Sequence, residues 1–157
     1  MPQANDLFKV FDVARLVEDG RITPEEIAAG LGDVEREGAY YLAAARAARV
    51  VRKLIGRDPA EYVVAYFGET YLAAGDDAAR AQVIVKGALA APHVLYLADR
   101  FGLSTPLGTP TPRELHDVAS IERELSNLGR LGGATPHRRA STIASWMKTV
   151  DRLAKRR

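Results

Sequence analysis

The stretch HRRASTIASWMKTVDRLAKRR, residues 137–157, holds Arg138, Arg139, Lys148, Arg152, Lys155, Arg156 and Arg157 against one acid, Asp151. Seven cations less one anion give it +6, while the whole chain carries +2, so residues 1–136 sum to −4. Cations gathered in this way do electrostatic rather than covalent work. They neutralise phosphates and release counterions, and an Arg fork can read guanine O6 and N7. At about 100° per residue, Arg138, Ser141, Ser145, Lys148 and Arg152 share an arc of about 80°, with Ile143, Trp146, Met147, Val150 and Leu153 opposite. The sequence therefore predicts an amphipathic helix with Thr135 as N-cap and Pro136 in its first turn. As a recognition helix it would present His137, Arg138, Ser141 and Ser145 to base edges, and Arg139, Lys148 and Arg152 to phosphates or the groove wall. A merely solvated surface helix fits the same charges, and a salt bridge from Arg139 to Glu122 or Glu124 competes with DNA contact. Trp146, in the apolar arc, is expected to anchor the helix in the core. Thr142 can serve as a flanking hydrogen bonder rather than a contact.

A second basic set lies earlier. Arg46, Arg49, Arg52, Lys53 and Arg57 place five cations in twelve residues with no acid among them, which suits phosphate contacts on both sides of a groove. Tyr40 and Tyr41 point about 100° apart on a helix, so one should be buried and the other, Tyr40, free to touch a backbone. Glu35 and Glu37 flank Arg36 and would repel phosphate. This region can thus be the weaker reader, or a protein-binding surface.

Other chemistries find little support. The chain has no cysteine, which removes thiol nucleophiles, disulfides and Cys-ligated zinc, and His93, His116 and His137 show no paired metal-ligand spacing. The residues two before Lys9, Lys53, Lys86, Lys148 and Lys155 are Leu7, Val51, Ile84, Trp146 and Leu153, so no acid stands where a metal-dependent restriction nuclease would need one. GRLGGAT lacks the Lys-Ser/Thr of a phosphate-binding loop, and no Ser sits in a GxSxG elbow. Asp76, Asp77, Asp99 and Asp117 could collect around Mg²⁺, though surface and capping roles are commoner. No enzyme activity, metal or cofactor is expected.

The elements that must position these groups are legible in outline. DLFKVFDVARLVEDG reads as a helix capped at Asn5 or Asp6 and closed by Gly20. In RITPEEIAAGLG, Thr23, Pro24 and Glu26 form a capping-box start for a short helix that stops at Gly30 or Gly32. VEREGAYYLAAARAARVV follows as a longer helix with Gly38 as its weak point. VVRKLIG and EYVVAYFG flank the turn-like RDPA and suggest a hairpin. Residues 77–101 read as apolar helix broken at Pro92, serving as core or as an oligomer interface, and STPLGTPTP as loop. Thr111 and Pro112 then open RELHDVASIERELSNLG, with a bend near Ala119-Ser120, before the basic helix. The repeated Thr-Pro helix start hints at a distant duplication.

Helix, short helix, turn, longer helix and hairpin is the order of a winged helix. EIAAGLGDVEREGAYYLAAARAARVV resembles the winged-helix module found in proteins of bacterial restriction systems, through Arg36, Tyr40 and Tyr41 in an Arg-x-x-x-Tyr-Tyr pattern. RRASTIASW matches a late Arg-Arg-x-x-Thr-x-x-x-Trp pattern of the same modules at Arg138, Arg139, Thr142 and Trp146. The resemblance spans about residues 22–150, with the wing ending near AYFGETYLAAG (65–75). It implies a mainly α fold with a small β wing: tandem winged-helix or helix-turn-helix modules around a shared helical core, divided at 1–75, 76–103 and 104–157. The expected function is non-enzymatic binding of double-stranded DNA, as a regulator or accessory reader in a restriction or defence setting. Arg36, Tyr40, Arg46, Arg49, Arg52 and Lys53 would act beside the C-terminal set. A homodimer and a partner protein of such a system are the further associations expected. The alternative is a protein-interaction adaptor or oligomeric scaffold. With no span-length apolar run and no signal-like N-terminus, a cytoplasmic location without membrane contact is expected.

Overall fold

The computed structural model describes residues 4–127 and 135–156. Among them, α1 (Leu7–Glu18), α2 (Pro24–Leu31), α3 (Glu35–Ala47), β1 (Val51–Lys53), β2 (Tyr62–Val64), α4 (Tyr66–Ala73), α5 (Asp77–Leu89), α6 (Pro92–Arg100), a 3₁₀ turn (Arg113–His116), α7 (Val118–Asn127) and α8 (Thr135–Ala154) follow in order. The architecture is mostly helical with a two-stranded antiparallel sheet, Val51 facing Val64 and Lys53 facing Tyr62.

Local chemistry accounts for the first elements. The Asp6 carboxylate accepts from the amides of Phe8 and Lys9 and starts α1. Thr23 and Glu26 complete the reciprocal capping box of α2, and Gly32 ends that helix in the left-handed region at φ 72°. Gly38, a weak point by propensity, is where α2 and α3 meet. A Cβ there would sit on the Pro24 carbonyl oxygen and press against Ala28, so only glycine lets the two helices approach this closely.

The run EYVVAYFG divides differently from the expected strand. Only Tyr62–Val64 pair with β1, and Tyr66–Ala73 form α4. In α4, Phe67 and Tyr71 stand one helical turn apart on the same face, with Tyr71 buried and Phe67 packed against the core. Tyr71 lies 5.6 Å from the Phe11 ring and its hydroxyl donates to Asp12 at 2.8 Å. Burial first, then the Asp12 carboxylate, push this phenol up to about 12. Tertiary packing here overrides β propensity.

Thr111 does not cap an α-helix either. Its hydroxyl meets Asp151 at 2.9 Å and His116 Nε2 at 2.6 Å, and its amide donates to Asp151 at 2.7 Å. Only a 3₁₀ turn follows. The break falls at Asp117 rather than at Ala119-Ser120, since the Asp117 carboxylate takes the Ser120 hydroxyl at 2.6 Å. That bond and the neighbouring amides hold the carboxyl below its usual range, and α7 starts there.

All the elements feed one hydrophobic cluster, from Leu7, Phe11 and Ile27 through Ile84 and Leu97 to Leu115, Leu125 and Met147. α5 and α6 break at Pro92 as the sequence predicts, and α5 packs against both α4 and α8. No single helix among the described residues is long and apolar enough to cross a membrane.

Candidate nucleic-acid interface

Two surfaces carry the sequence-predicted residues, and they differ in availability. On α3, Arg36, Ala39, Tyr40, Ala43 and Arg46 are exposed along one side, as spacings of three and four require. Tyr41 turns inward and is buried, with burial the leading cause of its raised hydroxyl pKa. The helix ends without a glycine. Arg49 takes φ 58°, and the Val50 amide returns to the Ala45 carbonyl at 2.8 Å. A left-handed conformation costs a non-glycine residue about 1–2 kcal/mol, so the chain holds an exposed arginine at the corner where glycine would be easier. Arg52 and Lys53 continue along β1, both exposed.

Elsewhere four lysines and arginines are paired, while Arg15, Arg21, Lys86, Arg113 and Arg123 have no salt-bridge partner among the described residues. Lys9 meets Asp33 at 2.8 Å, Arg80 meets Asp77 at 2.9 Å, and Arg100 meets Glu124 at 3.1 Å. Arg57, at the hairpin, reaches Glu61 at only 4.0 Å. Arg36, Arg46, Arg49, Arg52 and Lys53 have no salt-bridge partner among the described residues. The carboxylates that would silence them are missing from this stretch of sequence, Glu35 and Glu37 apart.

On α8 the expected division into apolar and polar arcs holds only in part. Ile143, Trp146, Met147, Val150 and Leu153 are buried as their phase requires. Thr135, expected as the N-cap, is the first residue of α8, and the residues before it lie outside those described. The polar arc is partly covered, because the N-terminal segment lies across it. Trp146 Nε1 donates to the Ala4 carbonyl at 2.8 Å, Ser145 Oγ to the Asn5 carbonyl at 3.0 Å, and Thr142 Oγ1 to Asn5 Oδ1 at 2.9 Å. Ser145 is thus committed to the protein's own backbone and is not presented to base edges. His137 is also redirected, with Nδ1 3.0 Å from Glu122.

Arg138 is half-buried and its Nε is enclosed without a hydrogen-bond partner, so it faces a cavity rather than solvent. Arg139 meets neither Glu122 nor Glu124. It approaches His93 Nε2 at 3.4 Å, where burial and then the Arg139 charge lower the His93 pKa. Ser141 is half-buried, whereas Lys148 and Arg152 are exposed and have no salt-bridge partner among the described residues.

Two features lay beyond the sequence reading. Contact between Ala4-Asn5 and α8 joins residues about 140 positions apart, and no local pattern announces it. The Thr111, His116 and Asp151 cluster joins three chemistry-bearing types, but the hydroxyl and the carboxylate meet the same ring nitrogen, with His116 Nε2 3.3 Å from Asp151. A nucleophilic triad needs the acid on the opposite nitrogen, so this cluster clamps the 104–112 loop to α8. Of the acids considered for Mg²⁺, Asp76 caps α5, Asp77 pairs with Arg80, Asp117 takes Ser120, and Asp99 is exposed on α6. Comparison with protein-family models, curated proteins and solved structures finds no match for this chain.

Proposed function

We propose that the chain is a non-enzymatic double-stranded DNA-binding protein that docks through a winged-helix module within residues 1–75. In this reading α3 enters a groove with Arg36 and Tyr40 toward the duplex. Arg46, Arg49, Arg52 and Lys53 take phosphates where the helix passes into the β1-β2 wing. The second, helix-turn-helix-like module within 104–157 adds Lys148 and Arg152 as phosphate contacts. A regulatory or accessory role in a restriction or defence setting follows from the sequence resemblance.

One observation carries the reading: five exposed cations run from α3 into β1 with no salt-bridge partner among the described residues, on a stretch, 36–53, whose only acid is Glu37. Maintaining unneutralised charge in one strip is unfavourable for the isolated protein and favours a polyanion. Arg49, held at a positive φ, adds to this, since strained backbone gathers at functional positions.

A band-shift titration on a mixed-sequence duplex tests the reading. With about six phosphate contacts, raising NaCl from about 50 to 200 mM should weaken binding by about 10³-fold. A flat response contradicts it. The adaptor alternative has its own observation: Ile55 at the hairpin tip is 99% exposed, and Tyr66 is 69% exposed, which suits a protein partner. An adaptor would show little salt-dependent DNA binding and would tolerate loss of the cations.

A further inference from the structure

A cavity of about 250 Å³ opens between α3, α6 and the first half of α8. Its apolar wall is formed by Ala43, Ala44, Ala47, Val94, Ile143 and Trp146, and its polar edge by Tyr40, His93, Arg138 and Arg139. Ala43, Ala44 and Ala47, on one side of α3, leave the space between the helices open. Protein interiors close-pack wherever they can, so a concavity walled by methyl groups at a helix junction suits a ligand.

The polar edge indicates which ligand. Among the described residues no carboxylate lines the cavity, and two guanidiniums border it. Arg138 Nε is enclosed without an acceptor among the described residues, an expensive state for a charged group unless an anion completes it. Arg139 is steered by His93 Nε2, and burial and then the Arg139 charge lower the His93 pKa. The edge therefore offers an anion two guanidiniums and no opposing carboxylate. The volume falls below the roughly 300–1,000 Å³ of sites for drug-sized molecules, and the apolar wall disfavours a bare phosphate.

From this geometry we infer that the cavity is a binding site for a small carboxylic acid with an apolar ring or short-chain body, its carboxylate on Arg138 and Arg139 and its body against Ala44, Ala47 and Trp146. The site does not depend on the chain binding DNA, and its test uses none.

Trp146 is the only tryptophan, so the intrinsic fluorescence of the full chain reports on the cavity directly. Titration with 4-phenylbutyrate should give a saturable change, with ligand-observed NMR confirming contact with the phenyl ring. The neutral 4-phenylbutanol should bind roughly tenfold more weakly or worse, as loss of a charge-assisted bond requires. Arg138→Gln should weaken the acid by a similar factor without weakening the alcohol. Ala47→Leu, which fills the cavity and keeps the helix, should weaken both, with circular dichroism and thermal midpoint confirming that each variant folds. Absence of a saturable signal in the folded wild-type chain, equal binding of acid and alcohol, or unchanged binding in both variants overturns the assignment.

Discussion

The α3-β1 strip and the start of α8 make an instructive pair, since both carry clustered arginines and the structure treats them oppositely. On α3 and β1 the cations project outward from a corner that strains its backbone at Arg49. On α8, which holds the denser charge, Arg138 turns to a cavity, Arg139 to His93, His137 to Glu122 and Ser145 to the N-terminal backbone. Charge density in sequence is therefore a poor measure of charge available to a partner. What separates the regions is their internal partners: on α8, Glu122, His93 and the Asn5 carbonyl engage His137, Arg139 and Ser145, whereas the strip's five cations have no salt-bridge partner among the described residues.

The comparison can be broken most severely at Gly38. Gly38→Val would drive its side chain into the Pro24 carbonyl and separate α2 from α3, costing about 3 kcal/mol. For a domain of this size that is a fall in thermal midpoint of about 10 °C. An unchanged midpoint would mean that the α2-α3 junction is not what fixes the strip.

A smaller loss is expected on the other side. Deleting residues 1–5 leaves the Trp146 indole N–H and the Thr142 and Ser145 hydroxyls without their partners, at a cost of about 2 kcal/mol in chemical unfolding. Trp146 emission should shift to longer wavelength as water reaches the ring. A variant as stable as the full chain would show that the N-terminal segment does not cover α8.

Arg49→Gly should have the smallest effect on stability and the opposite sign. Relief of the left-handed backbone should raise stability by up to about 1 kcal/mol, while DNA affinity falls and its salt slope drops by about 1. Gain in one property with loss in the other would mark Arg49 as a binding residue; a loss in stability would show that its side chain supports the fold.

Much of the fold was legible because it is written locally. The caps at Asp6 and Thr23, the stop at Gly32, the break at Pro92, the hairpin around RDPA and the buried arc of α8 each follow from a few neighbouring residues. The misreadings needed distant partners: α4 replaces a strand because Phe67 and Tyr71 find the core, and Thr111 abandons a capping role for Asp151. The candidate site divides in the same way. Outward direction along α3 was visible from its phase, with Tyr41 buried and Tyr40 exposed, whereas the fates of Ser145, His137 and Arg139 were set by Asn5, Glu122 and His93.

The most direct test sets the two regions against each other on the same duplex. Arg46, Arg49, Arg52 and Lys53 are changed together to Gln in one variant, Arg138 and Arg139 in another, and fluorescence anisotropy at low salt is compared with wild type. Loss of four phosphate contacts should weaken binding by about 10²-fold or more and flatten the salt slope by about 3–4, while the α8 variant stays within a few-fold of wild type. The reverse order, with Arg138 and Arg139 carrying the affinity and the strip dispensable, would contradict the account.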